Sequence, residues 1–286
     1  MFETRLIPIS VMALLLGGWL TGCAVDLEPL PQPVYVTAPE NLRQRYDHIT
    51  GQQVLNLVPQ AEMERRAQHN LDEELALYRR FGLRQVTDPA DPRLARLTEI
   101  AGKVHRKSHL ADREMSFILI ENDTFQAYTF GGKAVVFYSG LVDMLDDDTL
   151  AIVVGHELAH VAAGHIAEET SRTIVNTNHP ETLPPLAGFY GLNAEIEADR
   201  VGLVYAFLAG YDPRAGAVFW AEQAKHGSSQ TFNLFLDNHP PYQDRARYLE
   251  RDAAILMQHA TGEDIVNHDR YLRCNPLYCF DDTAAD

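Results

Sequence analysis

The segment from Leu150 to Ala163, "LAIVVGHELAHVAA", constrains the fold more than any other part of the sequence. It is apolar on nearly every face, a pattern typical of a helix buried on all sides. His156, Glu157 and His160 interrupt the apolar run. Burying such groups costs free energy unless they find partners, and a bound cation would supply one. The segment therefore predicts a buried helix that carries a metal site.

The two histidines have the spacing of a helical metal site. His156 and His160 are four residues apart, so both lie on one face of a helix and can reach a single ion. Glu157 can touch a water on that ion without being a ligand. This is the His-Glu-x-x-His arrangement of zinc metallopeptidases. Because catalytic zinc takes three protein ligands and a water, a third ligand must lie elsewhere in the chain.

His165 is not expected to be that ligand. It follows His160 by five residues, which is about 140° round a helix at ~100° per residue, so its side chain points away from the ion. The metzincin pattern needs a glycine three and a histidine six residues after the second ligand, where this sequence has Ala163 and Ile166. We interpret His165 as a polar residue near the helix end.

A later acidic segment, "NAEIEADRVG", offers the third ligand. Glu195 and Asp199 are four residues apart and share a helix face, whereas Glu197 lies about 200° from Glu195. This geometry favours Glu195 as the ligand and Asp199 as the acceptor for the other N–H of a ligating histidine. The alternative is that all three acids are solvated at a helix start, where the helix dipole favours negative charge.

These motifs together resemble the HtpX and CAAX-prenyl-endopeptidase family of zinc metallopeptidases, metallopeptidase family forty-eight. The resemblance runs from about Asp91 to Glu250. Three motifs carry it: His156, Glu157 and His160; the Glu-x-x-Ala-Asp of Glu195 to Asp199; and "AGYDP" at Ala209 to Pro213. The resemblance implies an α+β, zincin-like (gluzincin) domain, mostly helical with a small sheet or β-hairpin beside the active-site helix. It also implies one Zn²⁺ per chain and metalloendopeptidase activity, with Glu157 as the proton carrier.

The segment "DNHPPYQDR", Asp237 to Arg245, is similar to a late His-Pro segment of the same family. The resemblance implies that His239 approaches the zinc, as a transition-state donor or as a removable fourth ligand. It also implies that Arg245 supports the ligands without touching the metal. The sequence departs from the family before the Gly-Gly turn, where Gln126 and Tyr128 replace parts of the usual Asn-Ala-Phe.

Hydrophobic periodicity and turn residues predict the other elements. A helical region precedes and follows a break at Pro59 and ends near Gly82, and Asp91 and Pro92 begin another helix. The segments "MSFILIEN" and "FQAYTFGGKAVVFYSG" predict short strands, with the two glycines as a hairpin turn. Three further helices are expected at about 194–209, 213–226 and 242–259. The strand at about 134–138 is expected to offer an edge for an extended peptide.

The N-terminus has the pattern of a lipoprotein signal peptide. Arg5 precedes a mostly apolar run that ends in "LTGC", so Cys23 is the expected lipidated residue. An ordinary secretory signal is the alternative. Ala24 in place of aspartate resembles lipoproteins sorted to the outer membrane, and we expect a periplasmic protein anchored in the inner leaflet of that membrane. The predicted parts are a signal peptide at 1–22, a Pro-rich tether at 23–40, a helical region at 41–90, the metallopeptidase domain at 91–260 and a tail at 261–286.

The other two cysteines, Cys274 and Cys279, lie close together in "CNPLYC". In an oxidising periplasm they are expected to close a small disulfide loop. Two free thiols or a redox pair are the alternatives, although the spacing is not Cys-x-x-Cys.

The formal net charge of −16 makes nucleic acid an unfavourable partner. The resemblance to zinc metallopeptidases implies polypeptide partners, and the expected activity is hydrolysis of unfolded or misassembled envelope proteins. Two alternatives remain open: a zinc-stabilised chaperone or assembly factor for outer-membrane proteins, and a zinc hydrolase acting on cell-wall peptides or other non-protein amides.

Overall fold

The computed structural model describes residues 45–46, 49, 53–178, 192–226 and 242–259. The chain divides into two compact units, Met1–Asn41 and Leu42–Asp286, and every described residue belongs to the second. The predicted signal peptide, tether and C-terminal tail lie outside the described residues, as do Cys23, His239, Cys274 and Cys279.

The described elements are helices and short strands in an α+β arrangement. In chain order they are β1 (Arg45–Tyr46), β2 (Gln53–Val54), α1 (Gln60–Arg80), β3 (Arg84–Val86), α2 (Pro92–His105), β4 (Ser116–Glu121), β5 (Ala127–Thr129), β6 (Ala134–Tyr138), α3 (Ser139–Met144), α4 (Asp147–Ala163), α5 (His165–Asn178), α6 (Leu192–Leu208), α7 (Arg214–His226) and α8 (Tyr242–His259). The prediction of a mostly helical fold with a small sheet is confirmed.

Local sequence signals account for several helix boundaries. The Asp91 side chain accepts a hydrogen bond of 2.9 Å from the backbone N–H of Arg93 at the start of α2. Asp146 caps α4 in the same way, accepting from the N–H of Thr149 at 2.8 Å. One prediction was wrong. The stretch before Pro59 was expected to be helical, but it contains the antiparallel pair of β1 and β2. The prediction failed because the local charge pattern did not reveal strand pairing.

The larger sheet has the strand order β3-β4-β6-β5. β4 and β6 are parallel, and the other two pairs are antiparallel. The predicted peptide edge at 134–138 was therefore wrong, since β6 lies between β4 and β5. The buried side chains of Val135, Val136 and Phe137 give β6 the composition of an interior strand. The outer strand on that side of the described sheet is β5.

The helix that carries the sequence motif forms the centre of the core. α4 packs against α2, α6 and α7, and nearly all of its residues are buried. Gly155 on α4 and Gly202 on α6 let the two helix backbones touch, since a Cβ on Gly155 would lie 2.4 Å from the carbonyl oxygen of Gly202. Among the described residues no single helix is long and apolar enough to cross a bilayer, although the pair α4 and α5, bent by 49°, meets both criteria jointly.

Candidate active site

The structure brings the three predicted metal ligands together. His156 and His160 lie one turn apart on α4, and their Nε2 atoms are 2.9 Å apart. Glu195, in the first turn of α6, places its Oε2 3.5 Å from Nε2 of His156 and its Oε1 3.6 Å from Nε2 of His160. All three side chains are buried. Two histidine nitrogens and one carboxylate group therefore converge from two helices.

These separations fit a zinc ion. In tetrahedral coordination with bonds of about 2.0–2.1 Å, neighbouring ligand atoms lie roughly 3.3 Å apart. The distance of 2.9 Å between the two Nε2 atoms is close to that value, as are the distances of 3.5 and 3.6 Å from these nitrogens to the two carboxylate oxygens of Glu195. Two imidazoles and one carboxylate are also a donor set that catalytic zinc uses. Among the described residues, these three form the one group of His, Cys, Asp or Glu close enough to hold an ion.

Asp199 lies where the sequence predicts it, beside the first histidine. Its Oδ1 is 2.8 Å from Nδ1 of His156, so the carboxylate fixes the ring with Nε2 facing Glu195. Arg245 on α8 donates to the same carboxylate, through Nε at 2.9 Å and Nη2 at 2.5 Å. Tyr248 donates to it through its hydroxyl. The sequence analysis missed Tyr248, although its position three residues after Arg245 places both on one helix face.

Burial and neighbouring charged side chains together set the pKa values of Asp199 and His156. Burial alone would raise the pKa of Asp199, but the Arg245 guanidinium and the His156 ring hold it well below its usual range. Burial also opposes protonation of His156, yet its hydrogen bonds to Asp199 and Glu195 raise its pKa to about 9. Arg245 stacks over the ring of Trp220 with its Cζ 4.1 Å from the centroid. Asp199 is therefore an ionised anchor, and zinc binding at His156 would release a proton.

Glu157 is 3% exposed, on the turn of α4 that carries His156. Burial raises its pKa to about 7; the His156 ring acts against the shift and the nearby Glu195 carboxylate adds to it. A carboxyl group with a pKa near neutrality can both take and return a proton at physiological pH. This property suits the general-base role predicted for Glu157.

His165 takes a different place from the one expected. Its Nδ1 lies 2.8 Å from Nδ1 of His160, on the opposite side of that ring from Glu195. The expected direction holds only for a continuous helix, whereas Gly164 adopts a left-handed conformation with φ of 74° and ends α4. His165 then begins α5 and turns back toward His160. It does not join the metal group, as predicted, but it contacts one of the ligands.

Glu197 contacts His165 on the side away from His160. Its Oε2 lies 3.8 Å from Nε2 of His165, and its side chain is 6% exposed. Sequence reasoning set Glu197 aside because it lies on another face of its helix from Glu195. Gly164, directly before His165, was the available sequence signal that the first helix ends there.

Comparisons with known proteins agree with this geometry. The sequence profile described as "Peptidase family M48" matches residues 92–253, which is more than half of the chain. The chain is 25% identical over 168 residues to mitochondrial metalloendopeptidase OMA1 of Arabidopsis thaliana, covering 54% of this chain and 34% of the relative. It is 25% identical over 236 residues to the beta-barrel assembly-enhancing protease of Yersinia pestis, covering 71% and 44%. Human OMA1 is 29% identical over 150 residues, covering 42% and 28%.

The chain spans less than half the length of each of these relatives. The profile match nevertheless includes both helices of the candidate metal centre and Arg245. It confirms the resemblance seen in the sequence, together with the metallopeptidase class and the zinc cofactor of that class. The chain belongs to peptidase family M48.

Proposed function

We propose that this protein is a zinc metalloendopeptidase with a zincin-like (gluzincin) site, in which His156, His160 and Glu195 hold one Zn²⁺. The observation that carries the proposal is the convergence of two Nε2 atoms and a carboxylate within tetrahedral spacing, beside a buried glutamate. A purely structural zinc site would have no use for that glutamate. Its presence therefore favours hydrolysis over a binding role alone.

Each of the site residues has a separate role in the proposed reaction. A zinc ion held by His156, His160 and Glu195 would supply Lewis acidity, which would lower the pKa of water and polarise the scissile carbonyl. Glu157 takes the proton of the attacking water and returns it to the leaving amine, a transfer favoured by its pKa near 7. Asp199 keeps the His156 ring in its ligating orientation. His239, outside the described residues, is proposed to stabilise the oxyanion or to block the site as a removable fourth ligand.

The substrate is proposed to be an extended polypeptide that pairs with β5. β5 packs against α4, the helix that carries His156 and His160, which supports the proposal that its outer edge runs beside the zinc site. The backbone N–H of Tyr138 donates to the carbonyl of Gln126, and alternation along the pair then turns the backbone groups of Ala127 and Thr129 away from β6. Recognition through backbone groups requires an unfolded chain rather than a particular sequence.

The proposed setting is protein quality control in the bacterial envelope. The name of the Yersinia pestis relative, beta-barrel assembly-enhancing protease, supports envelope proteins as substrates. The lipobox-like "LTGC" supports periplasmic anchoring through lipid on Cys23, in the inner leaflet of the outer membrane. Misassembled outer-membrane proteins would then be natural targets.

Reversible removal of the metal tests the proposal. The purified full chain is incubated with an unfolded outer-membrane β-barrel polypeptide, after chelation and again after one equivalent of zinc is restored. We expect internal cleavage to stop on chelation and to return with zinc, while the folded form of the same barrel resists. Cleavage that continues in the chelated protein, or that affects the folded barrel equally, would contradict the proposal.

A further inference from the structure

The two candidate zinc-ligating histidines are supported by different partners. His156 has a carboxylate at Nδ1, supplied by Asp199. His160 has a second imidazole at Nδ1, supplied by His165 at 2.8 Å, with ring centroids 4.9 Å apart and ring planes at 75°. His165 is only 4% exposed, although it begins a helix. Burying a polar ring costs free energy unless the ring has a hydrogen-bond partner.

Zinc ligation by His160 would fix the proton on both rings. A neutral imidazole that binds a metal through Nε2 carries its proton on Nδ1 and donates it. Nδ1 of His165 must then accept, so a neutral His165 carries its own proton on Nε2. That nitrogen faces Oε2 of Glu197 at 3.8 Å, too long for a direct hydrogen bond but within the range of electrostatic attraction. Glu197, His165 and His160 thus form a series in which each side chain orients the next, and the series ends at His160, the proposed zinc ligand.

The backbone is shaped to present His165 in this way. In a continuous helix a residue five positions after His160 would point about 140° away from it. The left-handed Gly164 breaks the helix at that point, and α5 leaves at 49° from α4. Glu197 reaches the same place from α6, on a different face from Glu195. His165 from α5 thus contacts the second nitrogen of His160, and Glu197 from α6 contacts His165 in turn.

We propose that His165, oriented by Glu197, is a positioning residue that fixes the ring and tautomer of His160 and thereby raises the affinity for zinc. This inference rests on His160 being a zinc ligand, as in the proposed function. Partners that orient ligating histidines typically contribute 10–100-fold to metal affinity, which sets the size of the expected effect.

The zinc dissociation constant tests the inference. The stability of the apo-protein, measured in parallel, shows whether each variant is folded. The full chain is compared with His165→Leu, which removes the acceptor, and with His165→Asn, whose Oδ1 can take the place of Nδ1. His69→Leu, a change of an exposed histidine on α1, is the matched control. We expect the zinc dissociation constant to rise about 10–100-fold in His165→Leu, to stay within about threefold in His165→Asn and to be unchanged in the control. Unchanged zinc affinity in folded His165→Leu, or equal weakening in both variants, would overturn the inference.

A second measurement needs no variant. ¹⁵N shifts of the histidine rings in the zinc-loaded wild-type chain report which nitrogen carries the proton. We expect His165 to be protonated at Nε2 and unprotonated at Nδ1; a proton on Nδ1 would overturn the inference even if His165→Leu fails to fold. If the wild-type chain binds no zinc, the proposed function fails as well. If it binds zinc with this tautomer reversed, the failure is confined to His165.

Discussion

Gly155 on α4 and Gly202 on α6 pack backbone against backbone beside the metal centre. A Cβ on Gly155 would lie 2.4 Å from the carbonyl oxygen of Gly202, and one on Gly202 would lie 2.4 Å from the backbone nitrogen of His156. Glu195 and Asp199 are seven and three residues before Gly202, so they share its helix face. The close crossing therefore sets the distance between the histidines and both carboxylates.

Gly155→Ala is expected to push the two helices apart. Because the opposing atoms are backbone and cannot move aside, we predict a loss of about 1–3 kcal/mol in the free energy of unfolding and less than one zinc per chain. Gly102→Ala on α2 is the matched control, since its Cβ would approach only the flexible end of Arg106, at 3.4 Å. That control should keep its zinc and gain up to about 1 kcal/mol from better helix propensity. Urea unfolding and metal analysis check both; equal behaviour would refute the role of the crossing.

Asp199→Asn is expected to damage both stability and metal binding. It leaves the fully buried Arg245 without its carboxylate, a loss of about 3–5 kcal/mol in the free energy of unfolding. Zinc affinity should fall about 10–100-fold because the neutral amide of asparagine is a weaker acceptor for Nδ1–H of His156 than the carboxylate. Glu222→Gln, which removes an exposed ion pair with Lys225, should change stability by less than about 1 kcal/mol. Metal titration and urea unfolding of both variants decide the matter, and wild-type affinity in Asp199→Asn would speak against the anchoring role.

Glu169 on α5 is expected to make stability depend on pH. Burial raises its pKa from 4.5 to about 7, so folding favours the protonated form. The stability it contributes is fully present below pH 4.5 and is lost as the pH rises through about 7. Between pH 5 and 8 the wild type should lose about 1–3 kcal/mol more than Glu169→Gln, which stays neutral. Glu73→Gln, a change of an exposed carboxylate, is the control; parallel stability curves for wild type and Glu169→Gln would contradict the prediction.

Ala127→Pro tests the peptide edge. Proline removes a backbone N–H that faces away from β6, so the sheet keeps its internal hydrogen bonds while a pairing peptide loses a donor. We predict that KM for an unfolded polypeptide rises about 5–10-fold, the value of one hydrogen bond, with zinc content unchanged. Ala127→Ser keeps the N–H and should behave as the wild type. An unaltered KM in the proline variant would remove β5 from substrate binding.

The metal group could be predicted from the sequence because its information is local. The spacing of His156 and His160, and of Glu195 and Asp199, states which side chains share a helix face. The acidic cap at Asp146 and the apolar run after it define α4 without reference to any other element. The need of catalytic zinc for a third ligand then predicts that the two helices bring these side chains together, as the structure shows.

The features that escaped prediction have different physical causes. The order of β5 and β6 in the sheet is decided by pairing with β4, which lies earlier in the chain, and the hairpin pattern alone does not specify it. The contact of His165 with His160 was not predicted, because the left-handed Gly164 ends α4 and redirects the chain. The pairing of β1 with β2 likewise leaves little trace in residues 45–54.

The most direct test of the account compares the wild-type chain with Glu157→Gln. Zinc content is measured in both proteins, and both are then given an unfolded outer-membrane polypeptide under identical conditions. We predict one zinc per chain in both and a fall in cleavage rate of about 100–10,000-fold in the variant, because only the proton carrier is lost. A variant that keeps its zinc and cleaves at the wild-type rate, or a zinc-loaded wild type that does not cleave at all, would contradict the account.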